Sequence, residues 1–123
     1  MSTPDVLIAE DEPKLRELLA ERLRASNLRV AEAGDGEEAM DQLKSHAGVP
    51  LLLSDIRMPK MDGIALVEAA LKLRPELKVL MMTAYAAQLP GQEALKAREI
   101  RTLVKPFDPD KMVALVLDML ARP

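Results

Sequence analysis

Cysteine is absent from the 123-residue chain, and histidine occurs once, at His46. The lack of cysteine excludes disulfides and thiolate metal sites, and one histidine cannot build a zinc site unaided. Basic runs are also missing, because 17 basic and 20 acidic residues are mixed along the sequence and give a net charge of −3. This balance argues against a protein that binds the phosphate backbone of a nucleic acid.

Long apolar runs are missing as well. No segment approaches the ~20 apolar residues of a membrane span, because the run LLLSDI is broken by Asp55. The start MSTPDVLIAEDEP has neither a basic region nor a long apolar stretch, so it does not look like a signal peptide. These features and the absence of cysteine are compatible with the cytoplasm, and we expect a cytoplasmic protein that does not associate with membranes.

The chain does contain a regular alternation of short apolar runs and longer amphipathic segments. The apolar runs predict strands at 6–9, 28–33, 51–55, 79–83 and 102–105. The amphipathic segments predict helices at 12–26, 37–46, 62–74 and 108–120, and a short or irregular helix at 86–98, where Pro90 and Gly91 interrupt the pattern. Strands that are mostly apolar throughout, separated by helices, indicate one domain with a parallel sheet covered on both faces.

Polar groups occupy the ends of four predicted strands. Glu10 and Asp11 follow the first strand, Asp55 ends the third, Thr83 the fourth and Lys105 the fifth. In a doubly wound sheet the carboxyl ends of the parallel strands share one edge, where ligands bind. One acid at a strand end is most often a cap or turn residue, but five such groups at one edge predict a common site.

The charges of that site suggest its chemistry. Three carboxylates about 4 Å apart repel by roughly 4 kcal/mol per pair at an effective dielectric constant of about 20. Either some of them protonate or a cation binds. Oxygen ligands favour Mg²⁺, while lysine and threonine suit phosphoryl oxygens. Asp55 could then be a turn residue, a metal ligand or a nucleophile that forms an aspartyl phosphate.

The motifs LIAEDE, SDIRMPKMDG, MMTAYA and LVKPFD resemble, in order and separation, those of bacterial response-regulator receiver domains. The resemblance covers essentially the whole chain. It implies a (βα)5 flavodoxin-like fold, a doubly wound parallel sheet of five strands in the order 2-1-3-4-5 with helices on both faces. It also implies that a histidine kinase or a histidine phosphotransfer protein transfers a phosphoryl group to Asp55.

The resemblance further implies how the protein is organised. We expect residues 1–123 to form a stand-alone receiver without an output domain, monomeric or weakly dimeric. Such a protein is not an enzyme beyond promoting its own aspartyl phosphorylation and dephosphorylation. It would signal through phosphorylation-dependent binding of a protein target that the sequence does not identify.

Metal ligands are implied by the same resemblance. Asp11 and Asp55 would bind Mg²⁺, or Mn²⁺ in its place, together with the backbone carbonyl of Arg57. Glu10 would act mostly through water.

The remaining implied roles concern the phosphoryl group and the backbone. Thr83 and Lys105 would hold the phosphoryl oxygens. Pro59, Gly63 and Pro106 would have structural roles, with a cis peptide bond between Lys105 and Pro106.

The sequence also departs from the family pattern. Receivers commonly carry an aromatic residue or histidine three positions before the lysine, where this chain has Thr102, so the usual aromatic switch lacks its ring. A Gly-Ala pair that usually precedes the last strand is replaced by Arg98-Glu99. Arg57 and Tyr85 resemble positions that flank the path of the attacking water, and Tyr85 could alternatively take over the missing ring.

Three other protein classes share part of this pattern. A flavodoxin-like nucleotide or flavin binder needs a Ser/Thr/Gly-rich phosphate loop where this chain has EDEPKL, and a dehalogenase-type phosphatase has Asp where this chain has Arg57. The serious alternative is a pseudo-receiver, a constitutive protein-interaction module that is not phosphorylated. The presence of Asp55, Thr83 and Lys105 argues against it.

Overall fold

The predicted strands form one parallel sheet. A computed structural model describes residues 3–58, 61–84 and 100–122. Its strands are β1 (Val6–Ala9), β2 (Val30–Ala33), β3 (Leu51–Asp55), β4 (Lys78–Thr83) and β5 (Arg101–Val104). They lie in the order β2-β1-β3-β4-β5, and every neighbouring pair is parallel. The predicted strand order is therefore confirmed.

Helices cover both faces of the sheet. Within the described residues they are α1 (Pro13–Ala25), α2 (Gly36–Ser45), α3 (Gly63–Leu73) and α4 (Pro109–Ala121). Leu7 and Leu52 point to the face where buried side chains of α2 and α3 pack, and Ile8 and Leu53 to the face covered by α1 and α4. Because successive residues of a strand point to opposite faces, β1 and β3 are buried on both sides, which explains their uninterrupted apolar sequences.

Aspartates define the starts of three helices. Asp35 accepts a hydrogen bond from the backbone N–H of Glu38 (2.8 Å) at the start of α2, and Asp62 accepts one from Ala65 (2.9 Å) at the start of α3. Asp108 accepts a hydrogen bond from the backbone N–H of Asp110 (2.9 Å) at the start of α4. These bonds satisfy N–H groups that have no partner within the helix, so the helices begin where their caps are placed. The predicted cap at Asp62 is confirmed.

The second strand begins two residues later than predicted because Leu28 takes part in the turn that ends α1. Asn27 has a φ of 67°, in the left-handed region. The N–H of Asn27 donates to the carbonyl of Arg24 (3.0 Å), and the N–H of Leu28 donates to that of Leu23 (3.2 Å). This is a Schellman motif, in which the last helical carbonyls are satisfied by the chain that turns away. Leu28 therefore packs beside α1, and strand pairing starts only afterwards.

The fifth strand ends one residue earlier than predicted, although its pairing continues. The Lys105 N–H still donates to the carbonyl of Thr83 (2.7 Å). The peptide bond between Lys105 and Pro106 is cis, as the resemblance implied.

Several predictions fall outside the described residues. They are those for Pro59, Tyr85, the helix at 86–98 and the pair Arg98-Glu99. In the part of the chain that the structure describes, no helix has the length and apolar character needed to cross a membrane.

Candidate functional site

The polar strand ends meet at one edge of the sheet. Glu10 and Asp11 follow β1, which lies directly beside β3 and its terminal Asp55. A carboxylate oxygen from each of these three acids lies within 4.8 Å of the other two. The Lys105 Nζ donates to Asp55 Oδ2 at 2.8 Å and to Glu10 Oε1 at 3.2 Å. Lys105 thus contacts two acids that lie 95 and 50 positions before it in sequence.

Asp55 is held in one orientation by donors on both sides. Its side chain is buried, and Oδ1 accepts a hydrogen bond from the backbone N–H of Arg57 (3.2 Å) while Oδ2 faces Lys105. The neighbouring Ser54 hydroxyl donates to the Asp55 carbonyl (2.9 Å). A carboxylate fixed at the end of a buried strand loses little further conformational freedom when it reacts, which is the arrangement that a nucleophile requires.

Gly63 allows the chain to fold back onto this strand end. Its N–H donates to the carbonyl of Ile56 (2.7 Å), and a Cβ at this position would lie 2.2 Å from the carbonyl oxygen of Asp55. No side chain fits at such a distance from a backbone atom. The structural role implied for Gly63 therefore has a steric reason, namely the close approach of the start of α3 to Asp55.

Glu10 is the most deeply buried acid of the group, with 1% of its surface exposed. Its Oε2 accepts a hydrogen bond from the backbone N–H of Glu12 (3.1 Å), and its Oε1 faces Lys105. Burial raises the pKa of Glu10 to about 7, and the nearby charge of Asp55 adds to this effect. The Glu12 N–H and the Lys105 ammonium oppose the rise in pKa without cancelling it. Both Glu10 oxygens are thus already engaged with protein donors.

Lys105 is the cation that links these acids. Its partial burial lowers the pKa of the ammonium, but hydrogen bonds and charges from Asp55 and Glu10 outweigh burial, so the pKa is raised above its ordinary value. The ammonium therefore stays charged near neutral pH and can bind an additional anionic group at this edge.

The three acids form a donor set that fits Mg²⁺. All three offer carboxylate oxygens, and Asp11, in contrast to Glu10 and Asp55, is exposed to solvent. Mg²⁺ prefers oxygen ligands, takes only one or two carboxylates and retains several waters. Asp11 and Asp55 can supply those carboxylates, and the solvent-exposed side of Asp11 leaves room for the waters.

Thr83 and Thr102 lie on neighbouring strands at different distances from the sheet edge that carries the acids. Thr83 is buried at the end of β4, one residue beyond Met82, which pairs with Asp55. Thr102 is exposed on β5 and pairs with Met81, further from the edge that carries the acids. The register therefore places Thr83 at the strand edge that carries the acids and Thr102 further back along its strand.

The sequence did not indicate the contacts that two further residues make with the backbone at this edge. Ser54 supports the Asp55 carbonyl, and Arg16 Nη1 donates to the carbonyl of Glu10 (2.9 Å). A sequence signal for Arg16 was available, because side chains of an α-helix point back toward its N-terminus, here toward Glu10. The carbonyl that it binds could not be identified without coordinates.

Comparisons with known proteins agree with this arrangement. The sequence model of the response regulator receiver domain family matches residues 6–117. The chain is 36% identical over 117 residues to the transcriptional regulatory protein ZraR of Escherichia coli, which covers 95% of this chain but only 26% of ZraR. It is 33% identical over 115 residues to the response regulator receiver protein CpdR of Brucella abortus, covering 94% of this chain and 95% of CpdR.

A solved structure shows the same architecture. The CheY-like response regulator receiver domain protein of Methanospirillum hungatei superimposes with a TM-score of 0.87 at 27% identity. The superposition covers 97% of this chain and 94% of that one.

Proposed function

Because the chain belongs to the response regulator receiver domain family, a family of signalling domains, we propose that Asp55 accepts a phosphoryl group in a Mg²⁺-dependent reaction. The donor is a histidine kinase or a histidine phosphotransfer protein. The observation that carries the proposal is the contact set of Lys105, whose Nζ lies 2.8 Å from Asp55 and 3.2 Å from Glu10, beside the exposed carboxylate of Asp11.

The transfer step uses the Asp55 carboxylate as the nucleophile. One of its oxygens forms a bond to phosphorus while the bond between phosphorus and the donor's imidazole nitrogen breaks, and the electron pair leaves with the imidazole. Lys105 remains at the strand edge and its positive charge stabilises the transferred phosphoryl oxygens. Thr83, at the end of the adjacent strand, donates its hydroxyl to a phosphoryl oxygen.

Asp11, Asp55 and the backbone carbonyl of Arg57 hold the metal ion in this proposal. When bound, Mg²⁺ supplies positive charge that offsets the charge on the phosphoryl oxygens. Glu10 acts mostly through water in this proposal, as the family resemblance implies.

The output of the proposed reaction is protein binding that depends on phosphorylation. What supports this is the family, whose members are signalling domains, and the similarity to CpdR, which is named as a response regulator receiver protein. The part played by Thr102 in reporting phosphorylation stays a prediction, and so does that of Tyr85.

The test is phosphorylation of the purified protein by acetyl phosphate, followed by intact mass spectrometry. The wild type is expected to gain one phosphoryl group when Mg²⁺ is present and none when EDTA is added. The modification should be lost on treatment with hydroxylamine, which cleaves acyl phosphates but not phosphoserine.

Two variants identify the modified residue. Asp55→Asn is expected to gain no phosphoryl group, whereas Asp41→Asn, the same change at an exposed position of α2, is expected to be modified as the wild type is. A wild type that gains no phosphoryl group with either acetyl phosphate or a histidine kinase would favour the pseudo-receiver and refute the proposal.

A further inference from the structure

The side chain of Arg16, on α1, contacts the backbone of Glu10, one of the three acids of the site. Its Nη1 donates to the backbone carbonyl of Glu10 at 2.9 Å, and its Nε lies 3.5 Å from Oε1 of Glu32 on β2. The guanidinium packs beside Gly34, where an added Cβ would lie 3.3 Å from Nη1. Because the guanidinium is planar and carries several donors, one side chain can hold the carbonyl and the carboxylate at once.

The carbonyl that Arg16 binds belongs to the peptide unit that joins Glu10 to Asp11. The N–H of Glu10 donates to the carbonyl of Ala33 (3.0 Å), so the backbone of Glu10 is held from both sides. A peptide unit is planar, and fixing its carbonyl therefore fixes the direction in which the chain continues into Asp11. Asp11 is exposed, so the packing that locates Glu10 and Asp55 does not extend to it.

We propose that Arg16 is a positioning residue for divalent-cation binding, which acts by holding the Glu10 carbonyl and thereby the backbone from which the Asp11 carboxylate projects. This inference rests on the proposed function, since it concerns the same metal site. Arg16 does not touch the ion in this proposal, and its effect reaches the site only through the backbone.

Electrostatics alone predicts the opposite effect of removing Arg16. A guanidinium near three carboxylates repels a divalent cation, so loss of its charge should strengthen Mg²⁺ binding. Loss of positioning should weaken Mg²⁺ binding, because Asp11 must then be ordered by the ion itself. The direction of the change in affinity therefore separates the two roles.

Arg24 provides a matched control on the same helix. Its Nη2 lies 3.2 Å from Oε2 of Glu32 and 3.1 Å from the carbonyl of Val30. Arg24 thus shares the carboxylate partner of Arg16 and carries the same charge, but it bonds a carbonyl of β2 instead of Glu10. A role in general stability would be common to both arginines, whereas the proposed role belongs to Arg16 alone.

The experiment is a Mg²⁺ titration of the metal-free protein by calorimetry, well below the melting temperature. Arg16→Ala is expected to raise the Kd for Mg²⁺ about five- to tenfold, the effect of losing part of a hydrogen bond from a charged donor. Arg24→Ala should leave the Kd within about twofold of the wild type, since the affinity change of a distant surface substitution is small.

A spectroscopic measurement complements the titration. In metal-free protein, Arg16→Ala should shift the backbone amide signal of Asp11 in a ¹H–¹⁵N spectrum, and Arg24→Ala should not. If the alanine variants do not fold, Arg16→Lys and Arg24→Lys replace them. Lysine carries a compact ammonium in place of the planar guanidinium and cannot bridge the Glu10 carbonyl and the Glu32 carboxylate as arginine does. Only Arg16→Lys should therefore weaken Mg²⁺ binding.

The outcomes are distinct. A Kd that is unchanged or lowered in the Arg16 variant, or raised equally in both variants, would overturn the positioning role. A wild type that binds no Mg²⁺ or is not phosphorylated on Asp55 would instead refute the proposed function. Normal wild-type behaviour combined with an unaffected Arg16 variant would refute only this inference.

Discussion

Gly63→Ala tests whether the close approach of α3 to Asp55 is required. The substitution adds one carbon, which would lie 2.2 Å from the Asp55 carbonyl oxygen and 2.7 Å from the Ile56 Cα. Both neighbours are backbone atoms at the end of a buried strand, so neither can rotate away as a flexible side chain would. The start of α3 and the end of β3 must therefore separate.

The expected cost follows from comparing two effects. Carbon atoms are in favourable contact at about 3.5 Å, so the backbones would have to part by roughly 1 Å. Overpacking of a well-packed region costs about 1–3 kcal/mol, and the upper end applies here because only backbone can move. Alanine has a higher helix propensity than glycine, but this stabilises the variant by at most about 1 kcal/mol. We expect a net loss of about 2 kcal/mol in the free energy of unfolding.

Urea denaturation, monitored by circular dichroism, measures this loss of stability. The rate of phosphorylation by acetyl phosphate reports whether Asp55 has been displaced. Gly48→Ala serves as the control, because an added Cβ there would lie 3.3 Å from the side-chain methyl of the exposed Thr3. That variant should stay within about 0.5 kcal/mol of the wild type. A Gly63→Ala protein as stable and as reactive as the Gly48→Ala protein would refute the steric argument.

Two further predictions concern pH and the end of α1. The folded pKa of Glu10, about 7, exceeds its ordinary value of 4.5, so the folded protein binds more protons between these values. The free energy of unfolding of metal-free protein should then fall as pH rises from 4.5 to 7, by up to about 3 kcal/mol. Urea denaturation at several pH values in EDTA measures this slope, which Glu10→Gln should remove. Asn27 has a φ of 67°, which glycine adopts more easily than alanine. Asn27→Gly should therefore raise the free energy of unfolding slightly, and Asn27→Ala should lower it by about 1 kcal/mol. Equal melting temperatures of the two variants would contradict this prediction.

The sequence alone determined the layout of the fold. Apolar runs such as Leu51–Leu53 indicated strands buried on both faces, and this pattern is local because it depends only on the residues of each strand. The cap at Asp62 and the strand-end positions of Asp55 and Lys105 could be predicted for the same reason. Since parallel strands present their carboxyl ends on one edge, the meeting of these groups followed from the topology.

The boundaries that the sequence misplaced depended on contacts between elements. Leu28 has an apolar side chain suited to a strand, but its N–H bonds to Leu23 and its side chain packs with the α1 face of the core. The Schellman motif thus prevailed over the strand pattern. A periodic pattern cannot reveal which of two adjacent elements will use such a residue.

Distances and partners within the site were decided by the tertiary structure. The contacts of Lys105 with Glu10 and Asp55, the hydrogen bond from Arg16 to the Glu10 carbonyl and the raised pKa of Glu10 all depend on strand register and burial. Register is set by packing across the whole sheet, and burial by helices distant in sequence. The sequence could therefore name the residues that meet, while only the folded chain determined how closely they meet and which of them hold one another in place.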